Sequence, residues 1–166
     1  YIYNLCIENG VFPGSWKVAK VVPIPKTKDL NDPNKFRPIS LLSAVSKPIE
    51  RHIHKHLYSF LSQHELIYPL QSGFRPQHSC HMALTHLSDR WHTAVNDEKM
   101  TGTVFLDFSK AFDLVNHNLL TQKLSAYHVS NHSVAFFQSY LEDRTQYVFI
   151  NGQRSEEGPI KHGVPQ

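Results

Sequence analysis

The stretch "TVFLDFSKAFDLV" has the residues best suited to chemistry, because two carboxylates interrupt an otherwise apolar run. Asp107 closes "TGTVFLDF", which is predicted to be a strand, and Asp113 follows "FSKAF", which is expected to turn into a helix. Burying an unpaired charge is costly, so Asp107 requires a partner. Carboxylate oxygens suit Mg²⁺, which proteins hold with one or two carboxylates together with substrate phosphates. A turn or helix-cap role for both acids is the plainer alternative.

Two-metal phosphoryl transfer stabilises the attacking and leaving oxygens with paired ions, and it needs more than one carboxylate. The spacing of Asp107 and Asp113 permits a shared metal but does not require one. A metal-dependent phosphatase that uses "DFSKAFD" is a weaker alternative, since that chemistry usually needs its two acids much closer along a loop. Phosphate release from a small ester without a template would favour it.

The remaining sequence predicts the elements that position these acids. Apolar spacing predicts five helices. The second begins at Ser46 with Pro48 in its first turn, and the fourth, "NHNLLTQKLSAYHV", is opened by Asn116. The first, third and fifth are "YIYNLCIENGVF", "CHMALTHLSDRWHTAVND" and "SVAFFQSYLEDR". The third of these helices is expected to bury Met82, Leu84, Leu87, Trp91 and Val95.

The strand predictions are fewer. The β-branched run "KVAKVVPIPK" is interrupted by Pro23 and Pro25 and predicts an edge strand, "TKDLNDPN" predicts a polar loop, and "QYVFING" with "GPIKHGV" predicts a β-hairpin. The predicted fold class is therefore α+β, with helices packed on a small antiparallel sheet.

Composition is that of an ordinary globular domain. The chain has 166 residues, of which 40% are apolar and 19% charged, and its two cysteines are expected to be reduced thiols in the core. It begins at Tyr1 and ends at Gln166, so we expect it to be part of a longer protein. No apolar run is long enough for a membrane span and no secretory signal is present, which predicts an intracellular protein.

Charge is only weakly basic overall, at +3, but lysine and arginine are concentrated in the first third of the chain. A basic surface there would suit nucleic acid or a triphosphate. A solvated surface is the alternative on charge alone.

The segment "FLDFSKAFD" resembles the first catalytic motif of reverse transcriptases from non-LTR retrotransposons. Similar blocks follow the order of that family, namely "GVFPGSWKVAKVVPIPK", "FRPISLLSAVSKPIERHI", "QSGFRPQHSCHMAL", "YLEDRTQYVFING" and "GVPQ". The resemblance covers essentially the whole chain. It implies part of a right-hand polymerase, with fingers and fingers/palm helices in about 1–100 and the first part of the palm in about 101–166.

The resemblance implies that Asp107 is a catalytic metal ligand, joined by the backbone carbonyl of Phe108. Phe112 corresponds to the aromatic residue beneath the sugar of the incoming nucleotide, where its ring leaves no room for a ribose 2′-hydroxyl. An ordinary core phenylalanine is the alternative. Asp113 is expected to have a local structural role.

The resemblance also implies nucleotide and template contacts. Arg37 in "FRPIS" corresponds to the arginine that holds the triphosphate, for which paired guanidinium donors are suited. Lys26, or with less support Lys28 or Lys20, would add positive charge, with a solvated surface as the alternative. Gln166 is expected near the nucleotide and template.

The expected template-proximal residues are Gly73, Phe74 and Arg75 in "GFRPQHS" and Gly163 in "GVPQ". Gly163 would permit close backbone approach. For Arg75, a phosphate contact and a structural turn are both open.

The implied activity is transfer of deoxynucleotides to the 3′-hydroxyl of a DNA primer on an RNA template, with two Mg²⁺ ions, or Mn²⁺ as an alternative. The partners would be an RNA template, a DNA primer and dNTP, and no membrane is expected. The expected cellular location is the nucleus or the cytoplasm. The family completes its metal site with an Asp-Asp pair that follows the "PQG" motif. The 166 residues alone are therefore expected to be inactive. A decayed or domesticated remnant that binds nucleic acid without catalysis is the alternative.

Overall fold

A computed structural model of the chain describes residues 1–28 and 32–165. Within these residues the helices are α1 (Ile2–Glu8), α2 (Lys47–Gln63), α3 (Cys80–Asn96), α4 (His117–Ala126) and α5 (Asn131–Leu141), and the strands are β1 (Val18–Pro25), β2 (Phe36–Leu41), β3 (Thr145–Ile150), β4 (Gln153–Arg154) and β5 (Gly158–Pro159). The chain divides into two compact units, 1–55 with 109–166 and 56–108. The mixed α/β fold with a small sheet confirms the coarse fold class, and the right-hand arrangement stays a prediction.

The sheet has the strand order β2-β1-β3-β4, with β5 also paired to β3. β1 is antiparallel to β2 but parallel to β3, so the prediction of an antiparallel sheet is wrong for that pair. The prediction that β1 is an edge strand is also wrong, since β1 has a neighbour on each side. Its pairing with β3 ends at Val21, so Pro23 and Pro25 interrupt no hydrogen bond to β3. β2 was not predicted as a strand.

The predicted hairpin is confirmed in its first arm only. β3 turns at Asn151 and Gly152, which both have positive φ angles of 49° and 80°, and pairs with β4. This backbone suits the Asn-Gly sequence, since both residue types tolerate left-handed conformations. The returning chain forms two short strands, β4 and β5, instead of one long arm.

The core of the first unit is aromatic. Phe12 is fully buried and meets Trp16, Phe136 and Tyr140 edge-to-face, with ring centroids 5.6, 6.1 and 4.9 Å away. Cys6 packs in this cluster as a free thiol, as predicted. The second free thiol, Cys80, is exposed, so its predicted place in the core is wrong.

The helix starts follow the sequence closely. α2 begins directly after the buried Ser46, whose hydroxyl lies 2.6 Å from a carboxylate oxygen of Glu50. The Asn116 side chain accepts the Leu119 N–H at the start of α4, and Ser130 caps α5 in the same way. These helices and the predicted Asn116 cap are confirmed.

The buried face predicted for α3 is wrong. Met82, Leu84, Trp91 and Val95 are exposed, and Leu87 is only half-buried. No described residue of the unit 56–108 is fully buried, so the apolar stripe of this helix has little to pack against within its own unit.

The strand predicted for "TGTVFLDF" is also absent. Residues 101–108 are irregular, and the apolar side chains of Val104, Phe105, Leu106 and Phe108 are between 78% and 87% exposed. No backbone hydrogen bond joins residues 103–108 to any other residue that the structure describes. A lone extended segment has no ladder to stabilise it, which explains the lack of a strand.

The predicted polar loop 27–34 lies partly outside the described residues. In its described part, the Asp32 carboxylate accepts the Asn34 N–H at 2.9 Å and opens a 3₁₀ turn, Pro33–Lys35. None of the helices in the described ranges is long and apolar enough to cross a membrane.

Candidate functional site

A basic surface lies at the end of the β1–β2 hairpin. Arg37 is exposed and stands directly opposite Ile24, and the Lys26 N–H donates to the Lys35 carbonyl at 2.7 Å, which extends the ladder by one step. Residues that face each other across two strands share a side of the sheet, and alternate residues along a strand do too. Ile24 and Arg37 therefore share one face, and Lys26 and Lys35 lie opposite each other just beyond the strand ends, so the three cationic residues are grouped at the same end of the hairpin.

Lys20 lies further along the same face, opposite Leu41. Its ammonium group is 3.7 Å from the centroid of the Phe149 ring, which is a cation–π contact. Lys28 is exposed beyond the end of β1. Of the three lysines considered from the sequence, Lys26 has the shortest separation from Arg37 along the hairpin, and Lys20 is already engaged with an aromatic ring.

The segment after Phe112 and the "GVP" turn form one local structure in the first unit. The Gly163 N–H donates to the Val115 carbonyl at 2.8 Å, and the Val164 N–H donates to the Phe112 carbonyl at 3.0 Å. A Cβ atom at Gly163 would lie 2.7 Å from the carbonyl oxygen of Asp113, and φ at this glycine is +85°. The backbone that Gly163 approaches closely is that of Asp113, and its expected approach to nucleotide or template stays a prediction.

The backbone of Asp113 lies beside Gly163, and the structural role expected for Asp113 stays a prediction. The ring of Phe112 is 40% exposed, so it is not an ordinary core phenylalanine. Gln166 lies outside the described residues.

Asp107 and Phe108 belong to the unit 56–108, whereas Phe112 and Gly163 belong to the other. Both residues of the predicted metal pair lie in the irregular, exposed segment. Among the residues that the structure describes, no group of three His, Cys, Asp or Glu side chains could hold a metal ion. Asp107 offers one hard carboxylate, which fits a single contact to Mg²⁺ but not a complete set of ligands.

The loop that includes Gly73, Phe74 and Arg75 is held by the arginine. Arg75 Nη1 lies 3.1 Å from the Pro69 carbonyl and 3.2 Å from the Gln71 carbonyl, so its guanidinium binds the backbone of its own loop. This contact favours the structural role that the sequence left open for Arg75. Phe74 is 86% exposed and has a φ of +58°, which is uncommon for a residue with a side chain.

A buried polar group lies directly before β3 in the first unit. The guanidinium of Arg144 is buried, donates to the Tyr140 carbonyl at 2.9 Å, and stacks on the Tyr140 ring at 4.8 Å. Burial lowers the pKa of Arg144 from its ordinary value, although Tyr140 and Glu50 oppose this shift. Burial, with the Glu50 carboxylate, raises the pKa of Tyr140. The Arg144 carbonyl accepts the Ile160 N–H at 2.8 Å, which ties β3 to the segment leading to Gly163.

Two residues at the site were not identified from the sequence. Lys35 lies opposite Lys26 at the end of the hairpin, and the pairing was missed because β2 was not predicted. His117 contacts the Gly163 carbonyl with Nε2 at 2.7 Å, and the two residues are 46 positions apart. No sequence pattern signals that contact.

The comparisons with known proteins agree with the motif order. The family model described as reverse transcriptase (RNA-dependent DNA polymerase) matches residues 24–166. The chain is 34% identical over 99% of its length to the probable RNA-directed DNA polymerase from transposon BS of Drosophila melanogaster, and 34% identical over the same share to the RNA-directed DNA polymerase from mobile element jockey of that species. It is 26% identical, over 98% of its length, to the Pol polyprotein from type-1 retrotransposable element R2 of Popillia japonica.

The family match and the relatives together place the chain in the reverse transcriptase class. The chain belongs to the reverse transcriptase family, and its relatives are polymerases of non-LTR retrotransposons, which confirms the resemblance seen in the sequence. It spans 18% of the length of each of the two Drosophila relatives.

Proposed function

We propose that the chain is part of an RNA-directed DNA polymerase that transfers deoxynucleotides to a primer 3′-hydroxyl on an RNA template by two-metal phosphoryl transfer. The observation that carries the proposal is the match to the reverse transcriptase family over residues 24–166, which includes Asp107, Phe112 and Arg37. The basic surface of the hairpin and the backbone hydrogen bond between Phe112 and the Gly163 turn support it.

In this proposal Arg37 and Lys26 bind the triphosphate of the incoming nucleotide. They lie at the same end of the hairpin, and Arg37 is exposed, so its guanidinium is accessible to phosphate oxygens as a forked donor. Lys35 lies opposite Lys26 and adds positive charge there. Phe112 limits the space at the sugar, and Gln166 contacts the nucleotide and template.

Asp107 and the Phe108 carbonyl would hold a divalent metal ion, Mg²⁺ or Mn²⁺. Bound metal would neutralise charge that develops on the phosphoryl oxygens during transfer. No group of three His, Cys, Asp or Glu side chains among the described residues could hold a metal ion, so we propose that further ligands come from outside them. The 166 residues alone are accordingly proposed to be inactive.

For the template, we propose one set of contacts through the loop of Gly73 and Phe74 and another at Gly163. Arg75 holds that loop by its three backbone contacts, to the carbonyls of Tyr68, Pro69 and Gln71. The exposed ring of Phe74 is suited to stack on an unpaired base. The fingers and palm assignment, the RNA and DNA partners, and a place in the nucleus or cytoplasm are part of the same proposal.

A second candidate is a remnant that binds nucleic acid without catalysis. The observation that favours it is the irregular segment around Asp107, whose side chains are exposed and whose backbone makes no hydrogen bond within the described residues. In that case the basic hairpin would bind nucleic acid, and Asp107 would have no catalytic role.

The test is primer extension by a full-length polymerase that contains this chain, comparing Asp107→Asn with Asp113→Asn. Loss of the metal-binding charge at Asp107 is expected to reduce the extension rate by a factor of about 10² or more, and Asp113→Asn to leave it nearly unchanged. Phe112→Ala should mainly relax discrimination against ribonucleotides. Undiminished extension by Asp107→Asn would refute the catalytic role, and nucleic-acid binding without extension in the parent protein would favour the remnant.

A further inference from the structure

His117 makes a side-chain contact that neither the motifs nor the family match assign to a role. Its Nε2 atom lies 2.7 Å from the carbonyl oxygen of Gly163, and the side chain is half-buried. A carbonyl oxygen only accepts hydrogen bonds, so Nε2 must bear the proton. The contact joins the first residue of α4 to the "GVP" turn.

Backbone hydrogen bonds join the same two segments. Gly163 and Val164 donate to the carbonyls of Val115 and Phe112, and Gly163 approaches the Asp113 carbonyl more closely than a side chain would allow. These bonds use the N–H groups of the turn and leave the Gly163 carbonyl for His117. The histidine thereby fixes the orientation of the peptide group that follows Gly163.

The position of His117 is itself well defined. The preceding residue, Asn116, caps α4 by accepting the Leu119 N–H at 3.1 Å, so the histidine enters from an ordered helix start. Helix α4 therefore provides a fixed support from which an imidazole can hold the turn.

We propose that His117 is a positioning residue that sets the separation between Phe112 and the Gly163 turn, and through it the fit of the incoming nucleotide. This inference rests on the proposed roles of Phe112 and Gly163 in the polymerase. Because the Phe112 carbonyl is bonded to Val164, a shift of the turn moves the backbone that supports the Phe112 ring. Loss of the His117 contact therefore affects nucleotide binding and sugar discrimination. It does not affect the role of Asp107 in the chemical step.

The contact needs a donor and no charge, because neutral imidazole with a proton on Nε2 and imidazolium both donate to a carbonyl. Glutamine has an N–H donor at a similar distance from the backbone and should replace histidine. Leucine has no donor and should not.

The matched control is His132, which makes the same type of contact elsewhere in the unit. Its Nε2 lies 2.6 Å from the carbonyl of Ile7, a residue of α1, and not from any residue of the Gly163 turn. Removing either histidine costs one imidazole–carbonyl hydrogen bond, so His132→Leu reports the general effect on stability.

In a full-length polymerase that contains this chain, His117→Leu should raise the KM for dNTP by about threefold to tenfold, the equivalent of one hydrogen bond, with kcat changed by less than about twofold. It should also reduce the preference for deoxynucleotides over ribonucleotides. His117→Gln should restore both values, and His132→Leu should change neither. Equal kinetic effects of the two leucine variants, or no rescue by glutamine, would overturn the proposal.

If His117→Leu fails to fold, His117→Asn replaces it, because its shorter side chain does not reach the carbonyl. The comparison of asparagine with glutamine then decides, and equal KM values for the two would refute the positioning role.

Amide hydrogen exchange of the 112–117 and 160–165 peptides separates this inference from the proposed function. We expect faster exchange in both peptides for His117→Leu and no change for His132→Leu. If exchange responds as expected but no variant, including the parent, extends a primer, the positioning contact stands and the polymerase proposal fails. If exchange is unchanged in an active polymerase, the positioning inference fails alone.

Discussion

Replacing Gly163 by alanine tests the close packing of the "GVP" turn. Two separate costs are expected. A φ of +85° is unfavourable for any residue with a Cβ atom, by about 1–2 kcal/mol. In addition, the new methyl group would lie 2.7 Å from the Asp113 carbonyl oxygen, which is backbone and cannot rotate away.

The second cost is of the kind produced by overpacking, about 1–3 kcal/mol. Gly163→Ala should therefore lower the free energy of unfolding by about 2–5 kcal/mol in total. For a chain of this size, about 1 kcal/mol corresponds to roughly 2–4 °C in Tm.

Two other glycines supply matched controls. Gly152 has a φ of +80° with no atom within 4 Å of its would-be Cβ, so Gly152→Ala incurs only the backbone cost. Gly14 lies in open space without a positive φ, so Gly14→Ala should be neutral or stabilising by about 0.4–1 kcal/mol.

Urea unfolding followed by circular dichroism measures all three variants. The difference between Gly163→Ala and Gly152→Ala isolates the contact with Asp113 and should be about 1–3 kcal/mol. Equal losses for these two would refute the close approach. Losses no greater than that of Gly14→Ala would refute the argument from positive φ as well.

Three further predictions concern the buried polar groups of the first unit. Ser46→Ala should destabilise by about 1–3 kcal/mol, because the buried hydroxyl bonds to the Glu50 carboxylate at 2.6 Å; an unchanged urea midpoint would contradict this. Arg144→Met should change the free energy of unfolding by less than about 1.5 kcal/mol, because it removes a buried charge whose Nε and Nη2 atoms have no hydrogen-bond partner among the described residues. Arg144→Ala should lower that free energy by about 2–5 kcal/mol in the same titration. Burial and Glu50 raise the pKa of Tyr140, so the folded state favours the protonated phenol. The resulting contribution to folding stability is fully present below pH ~10, where the unfolded tyrosine titrates, and is lost as pH rises through the pKa of the folded state. Tyr140→Phe should reduce the loss of stability between pH 9 and 11, and an unaltered pH dependence would contradict the assignment.

Local signals predicted the helices well. Asn116 and Ser46 mark helix starts through interactions with residues three or four positions away, so the sequence contains all the information needed. The apolar stripe of α3 was also read correctly as helical. Its burial was not predictable, because periodicity reports which side is apolar and not whether another element covers it.

Sheet structure depended on partners that are distant in the sequence. β2 contains Pro38, which stands opposite Pro23 on β1, so the hairpin tolerates two prolines at a single rung. The parallel pairing of β1 with β3 joins residues more than a hundred positions apart, and it moves β1 from the edge to the interior of the sheet. Propensity at either strand alone could not show this.

Within the candidate site, two parts of a single sequence block differ in whether the described residues provide contacts that position them. The segment from Phe112 to His117 is organised by contacts with the Gly163 turn, all of which lie inside one compact unit. The segment from Thr103 to Phe108 has no such contacts among the described residues and belongs to the other unit. The block recognised as one motif therefore combines a part that this chain positions by itself with a part that it does not. The sequence identified Asp107 by residue type and Phe112 by family resemblance, but of the two only Phe112 has backbone hydrogen-bond partners among the described residues of its own unit.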